Sequence, residues 1–370
     1  MTDDQDRVTL TVDGMDYAGW LKIEISAGIE RQARDFALDV TWRWPGSEAR
    51  PLRIRQGARC QVRIGADLVL TGYVDATPIQ YDKTNVTTSV RGRSLTADLI
   101  DCSVSQTPGQ WRGQTVLQVV RGLASQYGIT VLDESGDAAT VADHTVEPGE
   151  TVFESIDRLL SLSELLSTDD EHGRLVLVQP GSAGRARDAL ELGKNIVTGS
   201  ASLDFSDVFS EYQCIGQRAG TDDEFGAAAS EVSASVADDR VTRRRLKVVQ
   251  PSGNVSALLA QRRAEWERDS SLARALSTEY EVQGWRQSSG DLWRTNLIVR
   301  VKDDLIGFDR DMLISEVTYT LDERGTKSRL RVAPPEAFNP EPGKGRKKGK
   351  KGKGGDSFEY LLPADWEKQQ

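Results

Sequence analysis

The sequence predicts a mainly β protein with an α+β insert. Two similar small β-barrels are expected to flank a helix-strand-helix-strand domain, and a flexible basic C-terminal tail follows. Apolar and polar residues alternate through 7–92 and again through 280–332, which is the period of half-buried strands. Between 111 and 180 the apolar spacing is helical and is twice followed by a short apolar run. The predicted division is 1–95 for the first β-barrel, 96–185 for the α+β domain, 186–217 and 272–338 for the second β-barrel, 218–271 for a loop and helix insertion, and 339–370 for the tail.

The composition limits the size and the surface character of these domains. A chain of 370 residues is long enough for two or more cores, because single cores stop growing below this length. Hydrophobic residues make up only 38%, which favours several small strand-rich domains or an obligate oligomer. The net charge is -10, yet residues 339–370 carry eight Lys or Arg against five acids, which leaves -13 for the rest. Such an acidic body repels phosphates, so we expect no specific nucleic-acid binding.

Cysteine spacing and the first residues indicate a reducing compartment. Cys60, Cys102 and Cys214 are widely spaced and form no C-x-x-C pair, so neither a disulfide framework nor a zinc ribbon is predicted. We interpret all three as small buried apolar side chains. The first ten residues are acidic and polar, and no apolar run approaches the roughly 18 residues that a membrane span requires. A cytosolic, soluble product with no membrane span is the expectation.

The first barrel is predicted from six or so short strands, a number typical of a small barrel or sandwich. Turns are expected at Asp13-Gly14 and Pro45-Gly46, which separate alternating runs. The residues that mark the strands are Val8, Leu10 and Val12, then Leu21, Ile23 and Ile25, then Phe36, Leu38 and Val40, then Val62 and Ile64, and finally 68–73 and 86–90.

Residues 92–131 lead from the first barrel into the α+β domain. One short helical turn or a tight crossing segment is expected around 97–101. Further on, Thr115 and Gln118 form a capping-box pair, the apolar residues after them share one helical face, and Gly128 stands where a helix ends. A helix between Thr115 and Gly128 is therefore predicted.

A second helix-strand pair repeats the first at an offset of 36 positions. The segment TVFESIDRL at 151–159 places Thr151 and Glu154 where the first copy has Thr115 and Gln118. A short apolar strand follows each helix, so the middle of the chain is predicted to be a small α+β domain.

The second barrel is predicted to be interrupted by an insertion. Strands are expected at 203–209 and 212–215, a mobile loop rich in Gly, Ala, Ser and Asp at 218–240, and a helix with one charged side at 255–276. The strands expected in the last β unit are 280–285, 297–301, 312–321 and 328–332.

The last β unit repeats the first weakly, at an offset of 240 positions. Tyr81-Asp82 corresponds to Leu321-Asp322, 89–91 corresponds to 329–331, and an alternating strand precedes each copy. Because both copies have strand, turn and strand at the same spacing, the pattern predicts a duplicated barrel.

The tail joins a basic linker to a terminal peptide. The segment EPGKGRKKGKKGKGG has the low complexity of a flexible linker and suits a tether held by acidic groups. A nucleic-acid arm is the alternative, but no aromatic residues are interleaved for base stacking. The basic tether consists of Lys344, Arg346, Lys347, Lys348, Lys350, Lys351 and Lys353. The apolar anchors of the expected docking peptide are Phe358, Tyr360, Leu361, Leu362 and Trp366, and a frayed tail without function is the other interpretation.

No sequence motif predicts catalysis, a cofactor or a metal site. His144 and His172 lack a second ligand at metal spacing, and both are expected in solvated turns. Asp98, Asp101 and Trp111 are interpreted as joint and packing residues rather than catalytic ones. The acidic pairs expected in turns are Asp169-Asp170, Asp222-Asp223 and Asp303-Asp304. We therefore predict no enzyme.

Several segments resemble the baseplate hub proteins of Mu-like contractile-tailed bacteriophages. GRSLTADLIDCS at 92–103 and GQW at 109–111 are the most specific, and the resemblance covers about 7–338. It implies a structural virion protein of the tail baseplate, made in the host cytoplasm and related to tail hubs and to the hub part of type VI secretion spikes. It also implies a homotrimer whose six similar barrels form a pseudo-sixfold ring that adapts the sixfold tail tube to the threefold spike. The implied partners are tail tube proteins, the central spike protein and other baseplate proteins.

Two other classes of function stay open at this point. A tail-associated peptidoglycan hydrolase would use two of the many carboxylates, whose separation the sequence does not give. A glycan-binding receptor module would use Trp20, Trp42 and Trp44 as an exposed platform. Large aromatic residues also dominate cores and interfaces, which is the interpretation that we favour.

Overall fold

The computed structural model describes residues 4–43, 54–81, 83, 85–105, 109–136, 140–141, 143–160, 165–217, 231–251 and 255–339. Contacts within the chain divide it into two compact units. The larger unit comprises the described residues of Met1–Val208 and Trp266–Pro340, and the smaller one comprises those of Phe209–Glu265.

Helices and strands are numbered in chain order over the described residues. The α-helices are α1 (Ala97–Asp101), α2 (Val116–Ser125), α3 (Val152–Leu160) and α4 (Ala257–Ala275). Short 3₁₀ turns lie at Asp4–Asp6 and Pro335–Phe338. The strands are β1 (Val8–Val12), β2 (Met15–Tyr17), β3 (Lys22–Gly28), β4 (Asp35–Arg43), β5 (Arg59–Ile64), β6 (Asp67–Ala76), β7 (Ile79–Tyr81), β8 (Asn85–Ser94), β9 (Gln110–Trp111), β10 (Gln114–Thr115), β11 (Val131–Asp133), β12 (Thr140–Val141), β13 (His144–Thr145), β14 (Leu166–Asp169), β15 (Leu175–Val178), β16 (Leu190–Glu191), β17 (Ile196–Ala201), β18 (Glu211–Gln217), β19 (Glu231–Ala237), β20 (Leu246–Val249), β21 (Thr278–Gln283), β22 (Ile298–Asp303), β23 (Phe308–Asp322) and β24 (Gly325–Ala333).

The first β unit, β1 to β8, contains the strands that the alternation predicts. In β1 the side chains of Val8, Leu10 and Val12 are buried, and the residues between them are only partly buried. Asp13 and Gly14 both have positive φ, 52° and 77°, as a two-residue hairpin turn requires. They join β1 to β2, which confirms the predicted turn.

The first and last β units are hydrogen-bonded into one 14-stranded sheet. The strand order is β17-β21-β24-β23-β3-β4-β8-β6-β5-β1-β2, with β22 and β16 branching from β23, and β7 from β8. The junction exists because β23 is 15 residues long: its first part pairs with β22, and 316–321 pair with β3. The two units also share one apolar core. They are therefore not separate domains, and the closure of each into a barrel stays a prediction.

The hairpin of β23 and β24 has the same register as β6, β7 and β8, at the predicted offset. Ile79 pairs with Thr88, and Tyr319 pairs with Ser328, each residue 240 positions later. A register shift also recurs, between Val74 and Ala76 in the first copy and between Ile314 and Glu316 in the second. A slip of one residue would turn every side chain to the other face, so a shared register marks the two units as copies of one arrangement.

Two more strands of each unit follow the same arrangement. Ile23 on β3 pairs with Leu38 on β4, and Gly199 on β17 pairs with Tyr280 on β21. In the first unit β4 lies next to β8, and in the last unit β21 lies next to β24. Thus β17 occupies the place of β3, and β21 occupies the place of β4.

The α+β domain begins its two main helices at the predicted capping boxes. The hydroxyl of Thr115 accepts the amide of Gln118 at 3.2 Å, and the Gln118 side chain accepts the amide of Thr115 at 2.9 Å. Thr151 and Glu154 make the same reciprocal pair at 3.2 and 2.7 Å. Gly128 follows α2 with φ of 69°, a left-handed conformation that ends helices. Both helices share a core with the sheet β11-β15-β14.

The prediction of a strand at 203–209 is wrong. The strand lies earlier, as β17, and Leu203 has a positive φ of 46° instead of an extended conformation. The reason is that β17 is an edge strand with mostly exposed side chains, so it lacks the alternation that marks a half-buried strand.

The smaller unit corrects the assignment of β18. The predicted second barrel includes 186–217, and with it this strand. In the structure β18 instead forms a separate sheet with β19 and β20. In addition, β19 lies in the expected mobile loop 218–240, of which 218–230 lie outside the described residues. Alternating Val and Ala residues of β19 pack against Tyr212 and Cys214, but their small size hides the strand signal. The predicted helix at 255–276 is confirmed as α4.

Candidate functional site

His144 lies in β13 and is buried, which corrects the prediction of a solvated turn. The residue is 4% exposed, and its Nε2 lies 2.8 Å from the hydroxyl oxygen of Ser155 on α3. It is thus part of the core of the α+β domain. His172 is exposed in the turn between β14 and β15, as predicted. Within the described ranges no three His, Cys, Asp or Glu side chains are grouped so that they could hold a metal ion.

Asp169 ends β14 and is also buried, so the expectation of a turn is wrong for it. Arg34 donates its backbone N–H to one carboxylate oxygen at 3.0 Å and its Nε to the other at 3.3 Å. The guanidinium also donates to the carbonyl of Val69 at 3.0 Å. Burial raises the pKa of the Asp169 carboxyl, and the Arg34 charge offsets this only in part. This pair ties β14 to the first β unit.

Polar contacts next to this pair strengthen the joint. The hydroxyl of Thr168 donates to the carbonyl of Gly28 at 2.9 Å, and the hydroxyl of Ser167 donates to the side-chain oxygen of Gln32 at 2.9 Å. A cavity of about 260 Å³ lies beside them, and Asp169 is part of its lining. Among the charged residues of the lining, Arg34 forms ion pairs with Asp169 and Glu171 of the α+β domain, so it links that domain to the segment between β3 and β4.

Asp303 at the end of β22 is a second buried carboxylate that was expected in a turn. It accepts the hydroxyl of Tyr280 at 3.1 Å and the backbone N–H groups of Leu305 and Ile306 at 3.0 and 3.2 Å. Burial, together with the hydrogen bond to Asp303, raises the pKa of Tyr280. The third pair, Asp222-Asp223, lies outside the described residues.

The exit from the first β unit is held by ion pairs. Arg93 on β8 donates two hydrogen bonds to the carboxylate of Asp101 on α1, at 3.2 and 2.7 Å, and contacts Asp75 at 2.7 Å. The hydrogen bonds from Arg93 lower the pKa of Asp101. Trp111 is 5% exposed in the core of the α+β domain. The joint role predicted for Asp101 and the packing role predicted for Trp111 are confirmed.

Two strands carry exposed apolar side chains and have no neighbouring strand on one side within the described residues. Ile79 and Tyr81 on β7 are 58% and 82% exposed, and Val197 on β17 is 50% exposed. Leu203 and Phe205, just after β17, are 36% and 43% exposed. In the described residues β7 pairs only with β8, and β17 only with β21. We call their outer sides the β7 edge and the β17 edge. Neither edge is among the predicted binding residues, and the signal in the sequence is an uncharged run, ATPIQY for β7 and IVTGSAS for β17.

The other predicted binding residues are partly covered or fall outside the described part of the chain. Trp20 is half-buried and packs against the main core. The side chains of Trp42 and Trp44 lie outside the described residues. So do the basic tether, Lys344, Arg346, Lys347, Lys348, Lys350, Lys351 and Lys353, and the docking anchors, Phe358, Tyr360, Leu361, Leu362 and Trp366.

Three sequence families match successive parts of the chain. The N-terminal domain of Mu phage baseplate assembly protein GpP-like proteins matches residues 7–94. The second domain of baseplate hub protein gp44-like proteins matches 96–179. The fourth domain of Mu phage baseplate assembly protein GpP matches 256–341.

Individual relatives resemble nearly the whole chain. It is 34% identical to baseplate hub protein gp44 of Escherichia phage Mu over 340 residues. This alignment covers 90% of this chain and 88% of the phage Mu protein. The crystal structure of the 43 kDa tail protein of prophage MuSo2 from Shewanella oneidensis matches with a TM-score of 0.81 at 32% identity, over 90% of this chain and 99% of that one. A component of the type VI secretion system of E. coli shares the fold, with a TM-score of 0.53 and 13% identity over 88% of this chain and 76% of that one.

Two paired β units with an α+β insert therefore define a phage tail protein. The chain belongs to the family of Mu-like phage baseplate hub proteins, which are structural components of the tail. The family inferred from the sequence is thus confirmed. In the described residues no helix has both the length and the apolar character that crossing a membrane requires.

Proposed function

We propose that the protein is the central hub of a contractile-tail baseplate and acts as a homotrimer. Three chains with two similar β units each give six similar units around one axis, which fits a sixfold tail tube. The whole chain, in contrast, is present in only three copies, which fits a threefold spike. The observation that carries the proposal is the register shared by the two β units, including the shift between Val74 and Ala76 that recurs between Ile314 and Glu316.

The proposed location is the baseplate of the virion tail, after synthesis in the host cytoplasm. The proposed partners are tail tube proteins, the central spike protein and other baseplate proteins, and similarity to a baseplate hub protein supports them. The net charge of -10 supports a ring through which DNA passes without binding, because like charges repel. We assign no catalytic activity to the hub.

The tail is proposed to act as a tethered docking segment. Residues 344–353 supply a flexible basic tether, and the apolar anchors of 358–366 supply a short peptide that binds another baseplate protein. A cationic tether also suits an acidic protein surface, either that of a partner or that of the protein's own body.

Size and shape measurements test the hub directly. Light scattering on the purified protein is expected to give the mass of three chains, and electron micrographs are expected to show a threefold ring. A peptidoglycan zymogram is expected to show no lysis. A monomer with lytic activity would contradict the hub and support the hydrolase. Sugar binding that is lost in Trp42→Ala would support the glycan-binding module instead.

A further inference from the structure

The contact between the two β units of one chain is a template for a contact between chains. In β3 and β23 consecutive residue pairs form an antiparallel ladder, with Ile25 opposite Tyr319 near its middle. Beyond the ladder the amide of Ile29 donates to the carbonyl of Ser315 at 2.9 Å, and Ile29 is only 1% exposed. Backbone pairing and apolar burial therefore act together at this junction.

Each strand of that junction has a counterpart with an open edge in the described residues. In the first unit β7 takes the place of the last part of β23, since its residue pairs with β8 recur 240 positions later between β23 and β24. In the last unit β17 takes the place of β3, since its pairs with β21 follow those of β3 with β4. The chain thus has one complete junction and the two separated halves of a second one.

The backbone of β7 directs hydrogen-bonding groups toward its open edge. The amide of Ser89 on β8 donates to the carbonyl of Pro78 at 3.0 Å, so Pro78 faces β8. Because successive residues of an antiparallel strand alternate in direction, the N–H and C=O groups of Ile79 and Tyr81 face away from β8. By the same alternation, the backbone N–H and C=O groups of Tyr319, the counterpart of Ile79, face β3. Pro78 has no amide hydrogen, but it removes no donor from the open edge.

The composition of both edges also fits strand pairing. Neither 76–81 nor 196–203 contains a charged residue, whereas edge strands that must stay unpaired are usually protected by charges. Phe205 lies 176 positions after Ile29, the same interval as between Ile25 and Ala201. It is 43% exposed, although Ile29 is buried at the complete junction. Apolar surface is therefore exposed next to β17, whereas the corresponding surface next to β3 is buried.

We propose that the β7 edge of one chain pairs antiparallel with the β17 edge of a second copy of the chain. The inference rests on the proposed homotrimer and names its interface. The template sets the register, with Ile79 opposite Ala201, Gln80 opposite Ser200, and Tyr81 opposite Gly199. Tyr81 then packs over a glycine, an arrangement that covers an edge glycine with an aromatic ring. Each chain offers one edge of each kind, so the contact is head-to-tail and closes a ring in which within-chain and between-chain junctions alternate.

A disulfide across the proposed ladder tests the register. Gln80 and Ser200 are exposed. In the proposed register they form a non-hydrogen-bonded pair. The Cα atoms of such a pair lie about 4.5 Å apart, a distance that a disulfide can bridge. The variant Gln80→Cys, Ser200→Cys is made in a Cys102→Ser background, because Cys60 and Cys214 are buried and Cys102 is not. Treatment with diamide is expected to give a covalent trimer on a non-reducing denaturing gel, and reduction is expected to remove it.

Matched variants control for the register and for the chemistry. In Gln80→Cys, Thr198→Cys the second thiol moves two residues along the same face, to about 7–8 Å, and the yield is expected to fall at least tenfold. In Glu24→Cys, Thr320→Cys the pair sits at the complete junction, where Glu24 and Thr320 are opposite each other, and is expected to cross-link within one chain. Each single variant is expected to give no covalent trimer.

A charge placed on the edge provides a second test. Ile79→Lys is expected to weaken trimer association at least tenfold, because a lysine at the edge opposes strand pairing. Leu305→Lys changes a residue that is 85% exposed outside both edges, and it is expected to leave the trimer unchanged. A wild-type trimer without the in-register cross-link would overturn this interface and leave the homotrimer standing. A wild-type monomer without the cross-link would overturn both.

Discussion

Arg34 connects three segments of the chain through one residue. Its side chain is 17% exposed and that of Asp169 is 1% exposed, so neither charge is well hydrated. The guanidinium reaches Asp169 in β14 and the carbonyl of Val69 in β6. A buried ion pair of this kind depends on both partners, because either one alone is a buried charge without compensation.

The substitution Arg34→Ala is therefore expected to lower the free energy of unfolding by about 3–5 kcal/mol. Denaturant unfolding followed by circular dichroism measures this change. The control is Arg300→Ala, since the ion pair of Arg300 with Asp309 has side chains that are 40% and 69% exposed. The control is expected to cost no more than about 1 kcal/mol. Equal losses in both variants would contradict a special role for Arg34.

The pair of Arg93 and Asp101 predicts a pH dependence. Hydrogen bonds from Arg93 lower the pKa of Asp101, so the folded chain binds this proton less tightly than the unfolded chain does. The pair thus contributes stability above the unfolded pKa of about 3.9, and the contribution is lost as the pH falls through the folded-state pKa. In Arg93→Gln the midpoint of Asp101 in a carboxyl NMR titration is expected to rise toward about 3.9. Asp204 is the control: hydrogen bonds with Ser206 lower its pKa, and its midpoint is expected to stay unchanged.

Single residues were the hardest part to predict from the sequence. The partner of Asp169 lies 135 positions away, so nothing near Asp169 distinguishes a buried ion pair from a carboxylate in a turn. His144 was misplaced for a similar reason, because its partner Ser155 belongs to a different element. Trp111 was predicted correctly as a packing residue, since a large aromatic ring is usually buried whatever its partner is.

Among the elements, α3 has the start that is easiest to test. The hydroxyl of Thr151 accepts the amide of Glu154, and the Glu154 carboxylate accepts the amide of Thr151. Thr151→Ala removes the first of these bonds and is expected to lower the unfolding free energy by about 1 kcal/mol. Thr151→Ser keeps the hydroxyl, and its unfolding free energy is expected to stay within about 0.3 kcal/mol of that of the wild type. Equal stability of the Ala and Ser variants would exclude the capping bond as the cause.

Elements with a local signal were predicted, and elements without one were missed. Capping boxes and alternating strands depend on residues a few positions apart, so α2, α3 and β1 were predictable. The edge strand β17 and the Ser- and Ala-containing β19 bury little, so only their pairing with another strand defines them. The repeat was visible in the sequence only as a weak offset, and the backbone register is what makes it clear.

For the whole molecule, the tail allows a test that separates assembly from docking. Deletion of 341–370 is expected to leave the trimer intact, because the sheet and its edges lie elsewhere in the chain. It is expected to weaken binding to a baseplate partner, measured by co-purification from cells that express both. The double variant Phe358→Ala, Trp366→Ala keeps the basic tether and is expected to weaken binding as well. Unchanged binding by the truncated chain would count against the docking role, and unchanged binding by the double variant alone would assign it to the tether.

The organisation of the whole molecule was predictable only in outline. Composition, strand alternation and family resemblance predicted two β units around an α+β insert. They did not predict that the units share one sheet, because the pairing of β3 with β23 joins residues nearly 300 positions apart, as the contact of Ser26 with Thr318 across 292 positions shows.

The long strand β23 has a mechanical consequence if the protein takes the proposed place between a tube and a spike. Of its 15 residues, 308–313 pair with β22, 313–322 pair with β24 on the other side, and 316–321 pair with β3. A force that slides the two β units past each other along this strand loads all the bonds of the β3 ladder at once. A force across the strand would break them one after another. The fold therefore resists shear along β23 far better than peeling, so an axial load is carried best where this strand runs close to the tail axis.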